Sequence, residues 1–269
     1  MSEAIRRLTS EDIPATLQLS TLAGWNQTAG DWQLLMDLAP DGCLAMEVGG
    51  SVVATATLLS YGERLGWIGM VLTHPEYRHR GYAKHLFARL LDHANTRGIK
   101  ALKLDATDQG QPLYESCGFK AEQSVERWFR PASEGKASAA CAEHADWRDL
   151  DAVAFGADRS SLLEVLRRRG KCFANSDAYL LSRPGRIAAY LGPFIARSRD
   201  AARAVLVQAI SDYGTSDIFW DLLPSNQDAV SLASELGFST QRRLTRMFRG
   251  EQLRGRDELV YAIAGFELG

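Results

Sequence analysis

Apolar and polar positions change period several times along the chain, and each change predicts an element. Trp67 to Leu72 is an apolar run without helical spacing that stops just before His74-Pro75, and Pro cannot donate to a ladder, so a strand is expected there. From Ala83 the apolar residues recur at Leu86, Phe87, Leu90, Leu91 and Ala94, one face of a helix over 81–97 that Gly98 can close. Ala101 to Ala106 reads as the next strand, which a helical crossover lays parallel to a neighbour. Upstream, Ala4 to Leu8 predicts a first strand, and Thr9-Ser-Glu-Asp12 opens a helix to about Leu22. A second short helix runs from Asp31 to Leu38. Cys43 to Val48 and Val52 to Ser60 flank Gly49-Gly50, whose freedom at positive φ suits a hairpin turn. With one more strand from Glu122 to Phe129, the expectation is an α/β fold: a mixed sheet with helices on both faces.

The second half repeats the first. Ala83, Leu86, Phe87, Leu90 and Leu91 return as Ala202, Val205, Leu206, Ala209 and Ile210, a constant shift of 119, and the same shift carries Leu113, Gly118 and Phe119 onto Leu232, Gly237 and Phe238. One register over two separate motifs implies a duplicated unit. Ala178 to Ser182 and Ile187 to Leu191 supply the matching hairpin and central strand. Residues 131–145 are small and polar without periodicity and read as a linker, which gives a first domain over 1–130 and a second over 146–269. The first copy has one strand before the linker, whereas the second closes with two, Gln241 to Phe248 and Leu259 to Leu268. The terminal strand is expected to pack into the sheet of the first copy.

Composition narrows the partners. A chain of 269 residues with 46% apolar and 24% charged residues has the balance of a globular protein, and a net charge of −2 gives no polyanion footprint, so nucleic acid is not expected. The N-terminus has no apolar signal core and no apolar run is long enough to cross a bilayer, so no membrane partner and a cytoplasmic location are expected. Cys43, Cys117, Cys141 and Cys172 lack metal-ligand or disulfide spacing, and no metal is expected. His85, Arg89 and His93 recur at i+4 on the polar helix face, the pattern of a solvated stripe.

Between the central strand and its helix lies Arg78-His79-Arg80-Gly81-Tyr82-Ala83-Lys84. A helix start leaves N–H groups unpaired at the positive end of its dipole, glycine permits close backbone approach, and arginine binds phosphate through paired hydrogen bonds. This is an anion cradle. It resembles the pyrophosphate loop of the GNAT acetyltransferase superfamily, Arg/Gln-x-x-Gly-x-Gly/Ala after a strand ending in a His-Pro or Asp-Pro turn. Residues 101–119 resemble that family's next unit, a strand and a short helix ending Leu113-Tyr114-Glu-Ser-Cys-Gly118-Phe119. The resemblance covers residues 4–130 and implies tandem GNAT-like folds, the second degenerate, with acetyl-CoA as cosubstrate.

The same resemblance implies roles for individual residues. The backbone of Met70, Val71, Leu72 and Thr73 is implied to run along the pantetheine arm, and residues 78–84 to hold the diphosphate. Tyr114 is implied as general acid toward the departing thiolate, with a packing tyrosine as the alternative. The family strand often carries a Glu, but Trp67 to Leu72 contains no acid; Asp105 and Glu47 are the carboxylates to test as base, with a helix-capping role for Asp105 and a solvated hairpin end for Glu47 as alternatives. Trp25 and Asn26 are implied to border the acceptor side, unless Trp25, like Trp32, is a core anchor. In the second copy Gly81 becomes Asp200 and Tyr114 becomes Ala233, which removes the cradle and the proton donor and leaves a structural role, covering a cleft edge or forming a homodimer. The expected activity is acetyl transfer to a primary amine of a small molecule by direct attack. A non-catalytic acyl-CoA sensor and a protein or peptide N-acetyltransferase are the alternatives.

Overall fold

The computed structural model describes residues 2–133 and 147–269, so the expected linker lies outside the described residues from 134 onward. By packing, the chain divides into two compact units: residues 1–104 with 249–251, and residues 105–248 with 252–269.

In the first unit β1 (Glu3–Arg7), β2 (Cys43–Val48), β3 (Ser51–Tyr61) and β4 (Leu65–Thr73) form an antiparallel ladder, and β5 (Ala101–Ala106) joins β4 in parallel. Residues 53–59 of β3 are buried without alternation, because helices cover both faces of a sheet at such a strand. α1 (Ile13–Leu22) packs with α2 (Ala29–Leu38) and against β3 and β4, while α3 (Tyr82–Thr96) packs against β2, β3 and β4. The apolar stripe of α3 sets its orientation. Leu86, Phe87 and Leu90 are fully buried, and each such side chain contributes about 1.5–3 kcal/mol. The Asp12 carboxylate takes the Thr9 N–H at 2.8 Å and both ends of the Arg6 fork, which fixes the start of the first helical segment.

The second unit contains α4 (Gln111–Ser116), β6 (Lys120–Arg130), α5 (Arg148–Phe155), α6 (Ser160–Arg169), β7 (Lys171–Ala174), β8 (Ala178–Arg183), β9 (Ala189–Ala196), α7 (Arg199–Asp212), β10 (Ile218–Leu222), α8 (Gln227–Glu235), β11 (Ser239–Gly250) and β12 (Val260–Ala262). Its strands run in the order β11-β6-β10-β9-β8-β7. β6 is antiparallel to both β11 and β10, and β10 is parallel to β9. The core between this sheet and α7 and α8 holds Trp220, Phe194, Leu206, Leu232 and Tyr261, all nearly inaccessible to solvent.

The duplication is visible as a repeated local structure. Phe119 N–H donates to the Tyr114 carbonyl at 3.1 Å and Phe238 N–H to the Ala233 carbonyl at 2.9 Å, while Gly118 and Gly237 share φ values of 84° and 82°. The shift of 119 does not extend to the helix starts, however. It carries Tyr82, where α3 begins, onto Ala201, whereas α7 begins at Arg199, separated from β9 by only Arg197 and Ser198, so the turn before the helix is shorter in the second copy.

The expected terminal strand is corrected in length and partner. Only Val260–Ala262 is strand, and it pairs with β9 of its own copy, at Val260↔Ile195 and Ala262↔Phe194. The reason is local. β9 and β10 pair in three positions, Ala189↔Ile218 to Leu191↔Trp220, and beyond them β12 takes the backbone of β9 while Ile263 N–H donates to the Asp221 carbonyl at 3.0 Å. Side chains then hold the segment by its carbonyls: Trp220 Nε1 on Tyr261 at 2.7 Å, Tyr190 Oη on Ile263 at 3.1 Å, Asn226 Nδ2 on Val260 at 3.0 Å and Arg183 on Ala264 at 2.9 Å. Gly192 makes room for it: at φ +154°, a Cβ there would stand 2.1 Å from the Ile263 carbonyl.

Candidate functional site

β4 leaves its parallel neighbour early. The β4–β5 ladder runs from Leu65↔Ala101 to Trp67↔Lys103, and on the opposite edge the β3–β4 register shifts between Thr55 and Thr57. A bulge of this kind re-aims backbone groups. Met70, inside it, has φ of 48° and is buried, and its carbonyl accepts the Thr55 hydroxyl at 2.8 Å. Of the four residues expected along a pantetheine arm, Met70 therefore has its carbonyl oxygen already engaged by the protein.

After Thr73 the chain turns sharply. His74 N–H returns to the Val53 carbonyl at 2.8 Å and the His74 ring accepts from Glu76 N–H, which makes His74 a turn residue. The basic loop comes next, with Arg78, His79, Arg80, Gly81 and Lys84 all exposed. His79 and Gly81 have φ of 63° and 82°, so the backbone curls just before α3. Gly81 is the N-cap of α3 and supplies no capping side chain, which leaves the helix start open to an external acceptor. A Cβ on Gly81 would meet only the His85 ring, at 3.8 Å; the backbone angle is what demands glycine. Arg80 is held over the Tyr77 ring at 4.9 Å and on the Glu76 carbonyl at 3.0 Å, whereas the Tyr82 side chain turns away and donates to Glu3 at 2.6 Å, so only its backbone faces the loop. That Glu3 contact, with burial second, raises the Tyr82 phenol above its ordinary value.

The duplicate position is built differently. α7 has Ser198 as N-cap, its hydroxyl accepting from Ala201 N–H at 3.3 Å, with Asp200 in the first turn. A donor is already satisfied there and an anion is already in place.

Tyr114, on α4, is 8% exposed, and burial pushes its phenol well above the ordinary tyrosine value, so it keeps its proton. Its ring lies 6.4 Å from that of Phe119. Ala233 occupies the matching place on α8, fully buried. Asp105 is not a helix cap: its side chain is inaccessible and receives both Arg246 Nε at 2.9 Å and Nη2 at 3.0 Å. Burial works against the Arg246 charge, but the Asp105 charge and hydrogen bonds outweigh it and hold the guanidinium above its ordinary value. Glu47 binds Arg6 Nε at 2.6 Å. Trp25 is half-buried and Asn26 buried at the end of α1, while Trp32, fully buried with its Nε1 on the Ser20 hydroxyl, is a core anchor. Sequence reasoning missed the Arg6 and Arg246 partners. Arg6 lies far from Glu47 in sequence, and Arg246 comes from the other copy.

Among the described residues no group of three or more His, Cys, Asp or Glu could hold a metal ion, and no helix is long and apolar enough to cross a membrane.

Comparison with known proteins adds to this geometry. Residues 5–119 match a model described as "Acetyltransferase (GNAT) family", and residues 147–262 match one described as "Acetyltransferase (GNAT) domain". The chain is 29% identical over 220 residues to the uncharacterized N-acetyltransferase YitH of Bacillus subtilis (strain 168), covering 75% of this chain and 76% of that one. Over 80 residues it is 30% identical to glucosamine 6-phosphate N-acetyltransferase of Trypanosoma brucei brucei, covering 28% of this chain and 54% of that one. A crystal structure of a putative acetyltransferase from Pyrococcus horikoshii has the same fold, with a TM-score of 0.87 at 23% identity over 99% of this chain and 96% of the other.

Proposed function

This chain belongs to the GNAT superfamily of acetyltransferases, with one such domain in each half, and from that premise we propose that it transfers acetyl from acetyl-CoA to a primary amine of a small molecule. The observation that carries the proposal is the exposed basic loop that enters α3 through Gly81, a helix start with no side-chain cap and three cationic neighbours in Arg78, Arg80 and Lys84. A diphosphate fits such a start through backbone N–H groups and fixed charge. Acetyl-CoA supplies the thioester; the chain's own groups hold, align and donate.

Tyr114 is assigned the hydrogen bond to the leaving thiolate, which takes its proton from the medium. Burial supports this role, because a phenol that keeps its proton through neutral pH can donate a hydrogen bond to the thiolate without giving the proton up. Asp105 is assigned a positioning role instead of the base. A carboxylate with both oxygens on a buried guanidinium has its lone pairs committed, and removing a proton from the amine falls to a water or to the medium. Trp25 and Asn26 are assigned to the acceptor side. A small acceptor is supported by the glucosamine 6-phosphate enzyme among the relatives, whose named substrate is one. The second copy is assigned no transfer of its own: Asp200 and the Ser198 cap stand at its helix start, and β12 lies along β9.

Thiol release from acetyl-CoA over a panel of small amines and peptides tests this. Turnover with a small amine is expected, with Tyr114→Phe lowering kcat by roughly a hundredfold while CoA affinity holds. Binding without turnover on any acceptor would make the chain a sensor, and turnover confined to peptides would reassign the acceptor.

A further inference from the structure

One face of the second unit's sheet carries charge in a row across three strands. Arg242 on β11 stands opposite Arg127 on β6, and Arg127 stands opposite Asp221 on β10. The first pairing depends on a bulge: the β11–β6 register shifts between Thr240 and Arg242, which removes Gln241 from the ladder and sets an arginine directly across from an arginine. Like charges so placed are unfavourable.

The two arginines differ in how they are satisfied. Arg127 is buried, gives Nε and Nη2 to the Asp221 carboxylate at 2.7 and 2.6 Å, and lies 4.7 Å from the centre of the Phe219 ring and 4.8 Å from that of Phe266. On the strand of Arg242 itself, Arg243 binds Glu126 and Arg246 binds Asp105. Arg242 is half-buried and has no hydrogen-bond, ion-pair or ring partner among the described residues. Burial, and then the Arg127 charge, hold its guanidinium below the ordinary value, only partly offset by Asp221. Two positions along β6 from Arg127, on the same face, Phe129 is half-buried and packs against Phe219 with ring centres 5.7 Å apart. The helices α5 and α6 pack on β7, β8 and β9.

We propose that Arg242 and Arg127 form a binding site for the carboxylate or phosphate group of a small molecule whose apolar body rests on Phe129. Arg242 supplies the free fork, Arg127 the second positive field, and Asp221 keeps Arg127 fixed without cancelling Arg242. A planar guanidinium presents paired donors that match either oxyanion. A charge that is half-desolvated and unmatched in the free protein gains most from an anionic partner.

The test uses the full chain saturated with CoA, so that any anion site at Gly81 is already filled, and titrates inorganic phosphate and succinate at matched ionic strength by calorimetry and thermal shift. Wild-type protein is expected to bind at least one of the two and to gain thermal stability from it. Arg242→Gln is expected to raise the dissociation constant at least tenfold, while melting no lower than wild type without anion, because it removes a repulsion. Arg242→Lys, which keeps the charge and loses the fork, is expected to fall between. Absence of binding by wild type to both anions, or an equal response in Arg242→Gln, would overturn the site.

Discussion

At Gly81 the demand is conformational. With φ at 82° and only the His85 ring near the missing Cβ, at 3.8 Å, substitution by alanine strains the backbone by about 1–2 kcal/mol and makes no steric clash. Gly81→Ala is therefore expected to weaken CoA binding modestly, whereas Gly81→Asp, which sets a carboxylate at the helix start much as Asp200 does two residues past the N-cap of α7, weakens it far more, as read by calorimetry. Equal effects would mean that charge at the helix start does not matter. Tyr114 gives a pH signature. Burial disfavours the phenolate, so the proton is retained as pH rises through and beyond the ordinary tyrosine value. The rate is then expected to climb with amine deprotonation and to show no alkaline fall below about pH 10. A fall below pH 9 that disappears in Tyr114→Phe would contradict the assignment. The sequence shows which residues carry such chemistry; it hides who neutralises them. Asp105 reads as an available acid until Arg246, 141 positions away, is seen to hold both of its oxygens.

Among the elements, α3 and α7 were legible because an apolar face repeats every turn and needs no knowledge of its partner. Gly118-Phe119 and Gly237-Phe238 were legible for the same reason: the turn they build is local. β9 was not read to its full length, since Pro193 looks like a breaker in the sequence and lies inside the strand. The place of β12 was wrong for a different reason, because strand pairing is decided by an unfilled ladder elsewhere, here on β9 beyond Leu191. That filled ladder bears on stoichiometry. In the first copy β4 and β5 stop pairing after three positions; in the second, β9 and β10 do the same and β12 takes over. One CoA per chain is the expected calorimetric result, and a value near two would show that the second copy admits the cosubstrate despite β12 and Asp200.

For the whole molecule, two divisions coexist. The duplication repeats at residues 1–130 and 146–269, which we propose as the units of descent; the compact units part near residue 104. β6 shows the difference. It precedes the linker in sequence, yet its ladders are with β10 and β11. A fragment of residues 147–269 is thus expected to lack a cooperative thermal transition, because β10 and β11 lose the strand between them, while one of residues 105–269 is expected to melt cooperatively. Scanning calorimetry of the two decides, and cooperative melting of the shorter one would show that β6 is dispensable.

The position of β6 also sets an order of events on the ribosome. This 11-residue strand is synthesised well before either neighbour exists, so both of its edges stay bare while α5 to α7 are being made. Bare edges recruit other chains. Lys120, Glu122, Glu126, Arg127 and Arg130, spread along its length, are charges of the kind that discourage a bare strand from pairing with the wrong companion.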